Sequence, residues 1–374
     1  SMSPASQNRP RPILTGHPLR FGVWAPYRGQ WVIGEHDHLV ADFDFNREVI
    51  KSAERAGFDT VLIAQHTINP IDISEEILEA WTAAAAAAAV TDRIEIIAAI
   101  KPRLYHPAVL AKMALGIEDI SHGRFAINFV NAWFKPELIR SGIGFPEHDE
   151  RYAYGSEWLR IVKSLMAGEE VTVDGQNFQL DRFRLSPKSR YRDRPVIYAG
   201  GESEAGTKLV DELADHWLIN GRPLEDIVPL VDSILARRAP NRPPLGIGVT
   251  GFVLARETDE EAEAEVERLL AIQEPFFASR REHMKGNIDE KAEALKVGFK
   301  YPGKPMIGAN GGTLPGFVGS YETVARRLAE FHGIGISTFM LSFFPLIAEQ
   351  ERFAQHVIPR ARSLVASQSL AKAS

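Results

Sequence analysis

Short apolar runs of strand length alternate, eight times over, with stretches whose apolar residues recur at helical spacing, and few architectures accept that order. The strand-like runs fall at 19–24, 60–64, 94–100, 125–130, 196–198, 217–219, 247–254 and 337–342. Helical patterns fall at 44–56, 74–90, 107–120, 150–166, 203–213, 224–238, 258–273, 321–332 and 347–365. A run such as Thr60-Val61-Leu62-Ile63-Ala64 is β-branched and too short for a helix, whereas 44–56 carries the helical period and stops at Gly57. Strand-then-helix units in series predict an α/β protein with a parallel sheet, and eight of them predict a closed (β/α)8 TIM barrel. A doubly wound sheet is the competitor, but it rarely needs eight units.

A bare barrel takes about 250 residues, and this chain has 374, read as one domain over 1–374. The surplus, roughly 120 residues by that arithmetic, falls in five places. Residues 1–18 hold four prolines and read as an irregular arm. A loop follows strand four over 131–149, and 171–185 alternates about Asp174-Gly175 as a small hairpin does. Residues 275–318 mix charge, Gly and Pro over a span too long for a plain connection, which suits a mobile active-site lid. A tail occupies 367–374.

Composition narrows the function. Lys+Arg 43 against Asp+Glu 49 gives a net charge of −6, so there is no basic field to hold a nucleic-acid backbone. Zero Cys removes disulfides, thiolate–metal sites and thiol nucleophiles. No apolar run reaches the length of a membrane helix and no basic-then-apolar leader opens the chain, so no membrane partner and a cytoplasmic location are expected.

Barrel chemistry sits at the C-terminal ends of the strands. Those ends read Trp24 to Arg28, Gln65-His66, Lys101-Pro102-Arg103, Asn128 to Asn131, Gly200 to Ser203, Asn220 to Arg222 and Ser342 to Phe344. Gly200-Gly201-Glu202-Ser203 joins a strand to a helix start: two glycines let a ligand approach backbone, and the exposed N–H groups attract phosphate. The same four residues also make a tight turn with Ser203 as N-cap. His66 could reach the mouth, although lone histidines are more often structural. Trp24, Phe343 and Phe344 fit either barrel packing or a flat, stacking ligand. His36-Asp37-His38 superficially matches a metal-binding pair but lies well past strand one, so solvated loop histidines and no metal are expected.

Several stretches, taken in order, resemble the bacterial luciferase-like flavin-dependent monooxygenases, nearest the alkanesulfonate monooxygenase group. They are Phe58-Asp59-Thr60-Val61-Leu62-Ile63, Glu79-Ala80-Trp81, Thr91-Asp92-Arg93-Ile94, 121–130, His148-Asp149-Glu150-Arg151-Tyr152, Tyr198-Ala199-Gly200-Gly201, 256–260 and 341–345. The resemblance runs from Phe21 to about Ala366 and implies a TIM barrel using FMN as FMNH2, supplied by a separate NAD(P)H:FMN reductase, with O2 as co-substrate. It implies that Tyr152 and Gly200, Gly201, Glu202 and Ser203 hold the FMN phosphate, and that Ala64, Asn128 and Asn131 line the ring system. It also implies a homo-oligomer, a dimer or tetramer.

The departures from that group bear on the substrate. Positions where it carries an Arg and a His hold Thr250 and Phe252 here, its Tyr after strand eight is Phe344, a Cys is Ile77 and a Trp is Asn220. A sulfonate needs cationic donors, so this pocket suits a less charged organosulfur compound. The chain accordingly looks like the dimethyl sulfone monooxygenases, with FMNH2-dependent oxidation of a short alkanesulfonate as the alternative. Trp24, Thr250, Phe252 and Phe344 are then expected to wall the substrate, Asn220 or Arg28 to bind the sulfone oxygens, and His66 to assist proton transfer.

Overall fold

The computed structural model describes residues 19–27, 30–31, 38–131, 134–285 and 306–373; side chains at 30–31, 38–39, 276–285 and 372–373 are outside that description. Eight strands close a barrel: β1 (Arg20–Trp24), β2 (Thr60–Ile63), β3 (Glu95–Ile100), β4 (Phe125–Phe129), β5 (Val196–Ala199), β6 (His216–Ile219), β7 (Gly246–Phe252) and β8 (Thr338–Ser342). Each pairs in parallel with the next, and β8 closes onto β1 with Phe21 beside Phe339 and Val23 beside Leu341. The TIM barrel expected from the eightfold alternation is therefore the fold, elaborated by three two-stranded ribbons.

Side chains alternate along each strand. One set packs outward against the helices and forms the main core, in which Phe21, Phe58, Phe343 and Phe353 interlock. The other fills the barrel: Leu62, Ile97, Ala126, Tyr198 and Met340, with Trp24 packed on them from the end of β1. Gly22 leaves no room for a side chain, since a Cβ there would stand 2.6 Å from Thr60 and 2.7 Å from the Met340 sulfur.

Element ends differ from the sequence expectation where local polar chemistry overrides the period. The helix expected from Ser74 begins at Ala80, because Asp72 accepts from both the N–H and the hydroxyl of Ser74 and locks a turn there. Glu79 caps the helix instead, accepting from Trp81 and Thr82. The run 347–365 is two helices, Leu346–His356 and Ile358–Ala373: Pro359 has no N–H to continue the first but fits the opening turn of the second. The run 247–254 ends in the barrel at Phe252, and Leu254–Arg256 then pairs with Val318–Ser320 outside it.

The 131–149 loop contains a short helix, Lys135–Arg140. The lid boundary also moves. Its first residues belong to a 27-residue helix, Asp259–Lys285, and its last are packed on the barrel; 286–305 lie outside the described residues. Among the described residues no helix is long and apolar enough to cross a membrane.

Candidate active site

Two corners at the C-terminal mouth are built from sequence-predicted residues. At the first, β5 runs through Gly200-Gly201-Glu202-Ser203 into the helix Glu204–Leu213. Gly201 sits at φ 126°, and a Cβ there would stand 3.0 Å from the Tyr152 hydroxyl and 3.1 Å from Gly206 Cα. Ser203 Oγ caps the helix, accepting from Gly206 N at 3.1 Å. Tyr152 reaches this turn from the helix His148–Met166; burial raises its pKa, and a hydrogen bond with Ser203 partly opposes that. The Gly201 carbonyl is held by Trp217 Nε1 at 3.0 Å. Glu202 differs from the expectation: its carboxylate is buried against the Arg222 guanidinium at 2.6–2.8 Å, so the backbone N–H is what it can offer an anion.

At the second corner Asn128, on β4 between Ala99 of β3 and Tyr198 of β5, buries its Oδ1 with no hydrogen-bond partner among the described residues. Asn131 Nδ2, just beyond β4, and Arg103 Nε, beyond β3, are buried in the same condition. Unpartnered buried polar atoms cost roughly 1–3 kcal/mol each, so three of them along one rim are groups that a ligand there could partner. Arg103 also stacks over the Tyr154 ring at 4.2 Å. Ala64, immediately after β2, is half-buried beside this rim.

His66 belongs to a buried cluster that sequence reasoning missed. Lys101 Nζ lies 2.8 Å from His66 Nδ1 and contacts a Glu137 carboxylate oxygen more closely still. The other Glu137 oxygen accepts from the N–H and hydroxyl of Thr67 at 2.6 and 3.0 Å. Gln65 accepts from the Lys101 N–H at 3.0 Å. Burial lowers the Lys101 pKa to about 8, while Glu137 pulls it upward. The rim positions of Gln65, His66 and Lys101 were visible in the sequence but their meeting was not, because Glu137 arrives from the short helix inside the post-strand-four loop.

The predicted substrate wall is brought together only in part. Trp24 sits half-buried on the barrel filling. Thr250, by contrast, uses its hydroxyl as a strut, accepting from Gly221 N at 2.9 Å and donating to the Asn310 carbonyl at 2.6 Å. Phe252 is buried with Leu254, Ala262, Leu269 and Ile307, and Phe344 packs on that outer cluster. The chain returning at 306–316 covers the end of β7, and Thr250 and Phe252 both touch it. A Cβ on Gly311 would overlap the Gly221 carbonyl, and Gly311 itself sits at φ 89°. Asn220, after β6, is half-buried, its carbonyl 3.4 Å from Arg222 Nε. Arg28, His36 and Asp37 lie outside the described residues.

A closed barrel with a glycine turn opposite a tyrosine, and unmatched polar groups gathered at one mouth, defines a small-molecule enzyme of TIM-barrel type. The family described as luciferase-like monooxygenase matches residues 19–338, and the chain belongs to that family of oxidoreductases. It is 30% identical over 354 residues to an FMNH2-dependent dimethylsulfone monooxygenase of Pseudomonas putida, covering 93% of this chain and 96% of that one. To the enzyme of the same description from Pseudomonas fluorescens (strain Pf0-1) it is 28% identical over 361 residues, 95% and 97% covered. Among solved structures, riboflavin lyase (RcaE) with modified FMN and riboflavin superposes with a TM-score of 0.75 at 19% identity, covering 92% of each chain.

Proposed function

We propose that the chain is the oxygenase component of a two-component system that uses FMNH2 and O2 to cleave a C–S bond of dimethyl sulfone. The balanced reaction is dimethyl sulfone + O2 + FMNH2 giving methanesulfinic acid + formaldehyde + FMN + H2O. An NAD(P)H:FMN reductase supplies the reduced flavin.

The residues present fit FMN. The turn at Gly200-Gly201 offers a cradle that any side chain would fill, with backbone N–H groups and a helix start for a phosphate dianion. Tyr152 and Ser203 add hydroxyls there, and the unpartnered Asn128 Oδ1 and Asn131 Nδ2 suit the donor and acceptor edge of an isoalloxazine ring. Ala64 leaves room for a flat ring. Bound there, FMNH2 supplies the electrons that activate O2. The protein's share is to hold the ring, exclude water with the chain returning at 306–316, and present His66 and Asn220 to the substrate. Trp24 offers an apolar wall for its methyl groups.

The observation that carries the choice of substrate is the state of the cations at the mouth. Lys101 is paired with Glu137 and Arg222 with Glu202, both buried; Arg103, with no carboxylate partner among the described residues, is stacked on the Tyr154 ring, and Thr250 and Phe252 are packed against the returning chain. A neutral sulfone needs hydrogen-bond donors but no spare cation, whereas a sulfonate needs both. The description carried by the two Pseudomonas relatives agrees with a sulfone.

The test is a coupled assay in air with FMN, a flavin reductase and NADH, offering dimethyl sulfone and methanesulfonate separately. Formaldehyde with methanesulfinate from the sulfone alone is the expected result. Sulfite from methanesulfonate, with no product from the sulfone, would overturn the substrate assignment and leave the short-alkanesulfonate reaction in its place.

A further inference from the structure

We propose that Lys101 is a positioning residue: its ammonium, tied to Glu137, donates to Nδ1 of His66 and fixes that imidazole as the neutral Nε2–H tautomer. His66 then acts at the mouth as a hydrogen-bond donor and not as a base. What His66 does to the substrate rests on the reading above; the tautomer does not.

An ammonium has three hydrogens and no lone pair, so a ring nitrogen hydrogen-bonded to it must present its own lone pair. Lys101 Nζ is 2.8 Å from Nδ1, which leaves Nε2 to carry the hydrogen of a neutral ring. The alternative places the proton on the imidazole and pairs it with Glu137. Nδ1 is 4.0 Å from the nearer Glu137 oxygen, beyond hydrogen-bond reach, while Lys101 lies between the two. The other Glu137 oxygen is already taken by Thr67.

Burial makes the choice strict. The side chains of His66, Lys101 and Glu137 are 5%, 2% and 1% exposed. Protonating His66 as well would set two cations 2.8 Å apart in a buried cluster with one carboxylate. Two segments supply the groups that face Lys101, which itself directly follows β3. His66 and the Gln65 amide come from the segment after β2, and Glu137 comes from the helix Lys135–Arg140. The ammonium persists at neutral pH, since burial brings Lys101 down only to about 8.

The experiment is NMR of the full-length protein carrying 15N-labelled histidine, with the His66 resonances identified as those lost in His66→Gln. In wild type, Nδ1 is expected to resonate as an unprotonated nitrogen and Nε2 as a protonated one, unchanged between about pH 6 and about pH 7.5. In the double variant Lys101→Met/Glu137→Gln, which removes both charges together, His66 is expected to show mixed tautomers and to titrate near its ordinary value. There kcat falls about tenfold while FMN affinity stays within about twofold. A wild-type His66 protonated at Nδ1, or titrating across that range, would overturn the proposal. So would an unaltered His66 tautomer in the double variant. If the double variant does not fold, the wild-type spectrum decides by itself. A wild-type spectrum as expected beside a protein that leaves dimethyl sulfone untouched would sink the substrate assignment and leave the tautomer standing.

Discussion

The two ends of the barrel handle their polar groups in opposite ways. At the N-terminal end the charged groups are matched donor for acceptor. Arg20 donates to Tyr198 and Glu95, at 2.7 and 2.8 Å, and Tyr198 donates to the same carboxylate at 2.6 Å. Burial alone would raise the Glu95 carboxyl, but Arg20 and Tyr198 hold it below its usual range. Nearby, Arg194 grips both oxygens of Asp215, and Glu54 accepts from three successive N–H groups at 92–94. At the C-terminal end the pattern reverses: Asn128, Asn131 and Arg103 bury atoms without partners, and Lys101 is held charged where burial disfavours it. One end is largely finished by folding, Thr338 Oγ1 at the start of β8 being a buried exception. The other is finished only by what binds there.

Damage to the two ends should therefore separate stability from binding. The largest stability effect is expected from Arg124→Ala. Its guanidinium makes five hydrogen bonds, to Ser121 O, Thr91 Oγ1, Ile94 O, Ala88 O and Thr91 O, stapling the start of β4 to the C-terminal end of the helix Ala80–Ala89. Leaving those acceptors unmet should cost about 2–4 kcal/mol in urea unfolding. FMN affinity of the folded protein should not change. A variant that unfolds like wild type but loses flavin would break the comparison.

Gly201→Ala should do the opposite. The added Cβ would meet the Tyr152 hydroxyl at 3.0 Å and Gly206 at 3.1 Å, on a backbone at φ 126° that alanine resists. FMN affinity, followed by fluorescence titration, should fall roughly 10- to 100-fold, or about 1.4–2.7 kcal/mol. The melting temperature should drop by only a few degrees, on the order of 1–2 kcal/mol.

The fold was legible in the sequence because its information is periodic. The same is true of the family, though for a reason the sequence did not disclose. Of the stretches that carry the resemblance, 91–94 and the start of 121–130 build the N-terminal end: Ser121 and Arg124 are staples far from the mouth, and Glu54 accepts from the N–H groups at 92–94. The glycine turn after β5 was legible as well, since its residue types have few other uses. The substrate end was not. What Thr250 touches is set by the chain at Asn310, which folds back onto its hydroxyl 60 residues later. His66 and Lys101 lie 35 residues apart and Glu137 a further 36, on elements whose meeting no local pattern records.

pH sharpens the comparison at intermediate size. The Lys101 pKa is about 8 in the folded protein, below lysine's ordinary value near 10.4. The unfolded chain therefore holds this proton more tightly, so the cost of burying the ammonium is full below about pH 8 and is relieved as pH climbs toward the ordinary value. Between about pH 7 and about pH 9, this group should make the protein no less stable. Turnover should nevertheless fall several-fold across that window, because a neutral amine no longer forces His66 into one tautomer. The check is kcat measured beside the melting temperature in the same buffers; in Lys101→Met/Glu137→Gln the fall should vanish.

The smallest effect is the most pointed. Asn128→Ala removes a buried amide whose Oδ1 the fold leaves unmet, so the desolvation cost of that atom disappears along with its packing. The two changes oppose each other, and stability in urea should move by no more than about 1 kcal/mol, in either direction. Flavin affinity should still weaken about 3- to 10-fold, the size of one hydrogen bond. A buried amide whose partners are protein atoms loses stability on such a truncation. A loss of several kcal/mol at Asn128 with flavin affinity intact would therefore mean that this amide serves the fold, and the mouth would be no less self-sufficient than the base.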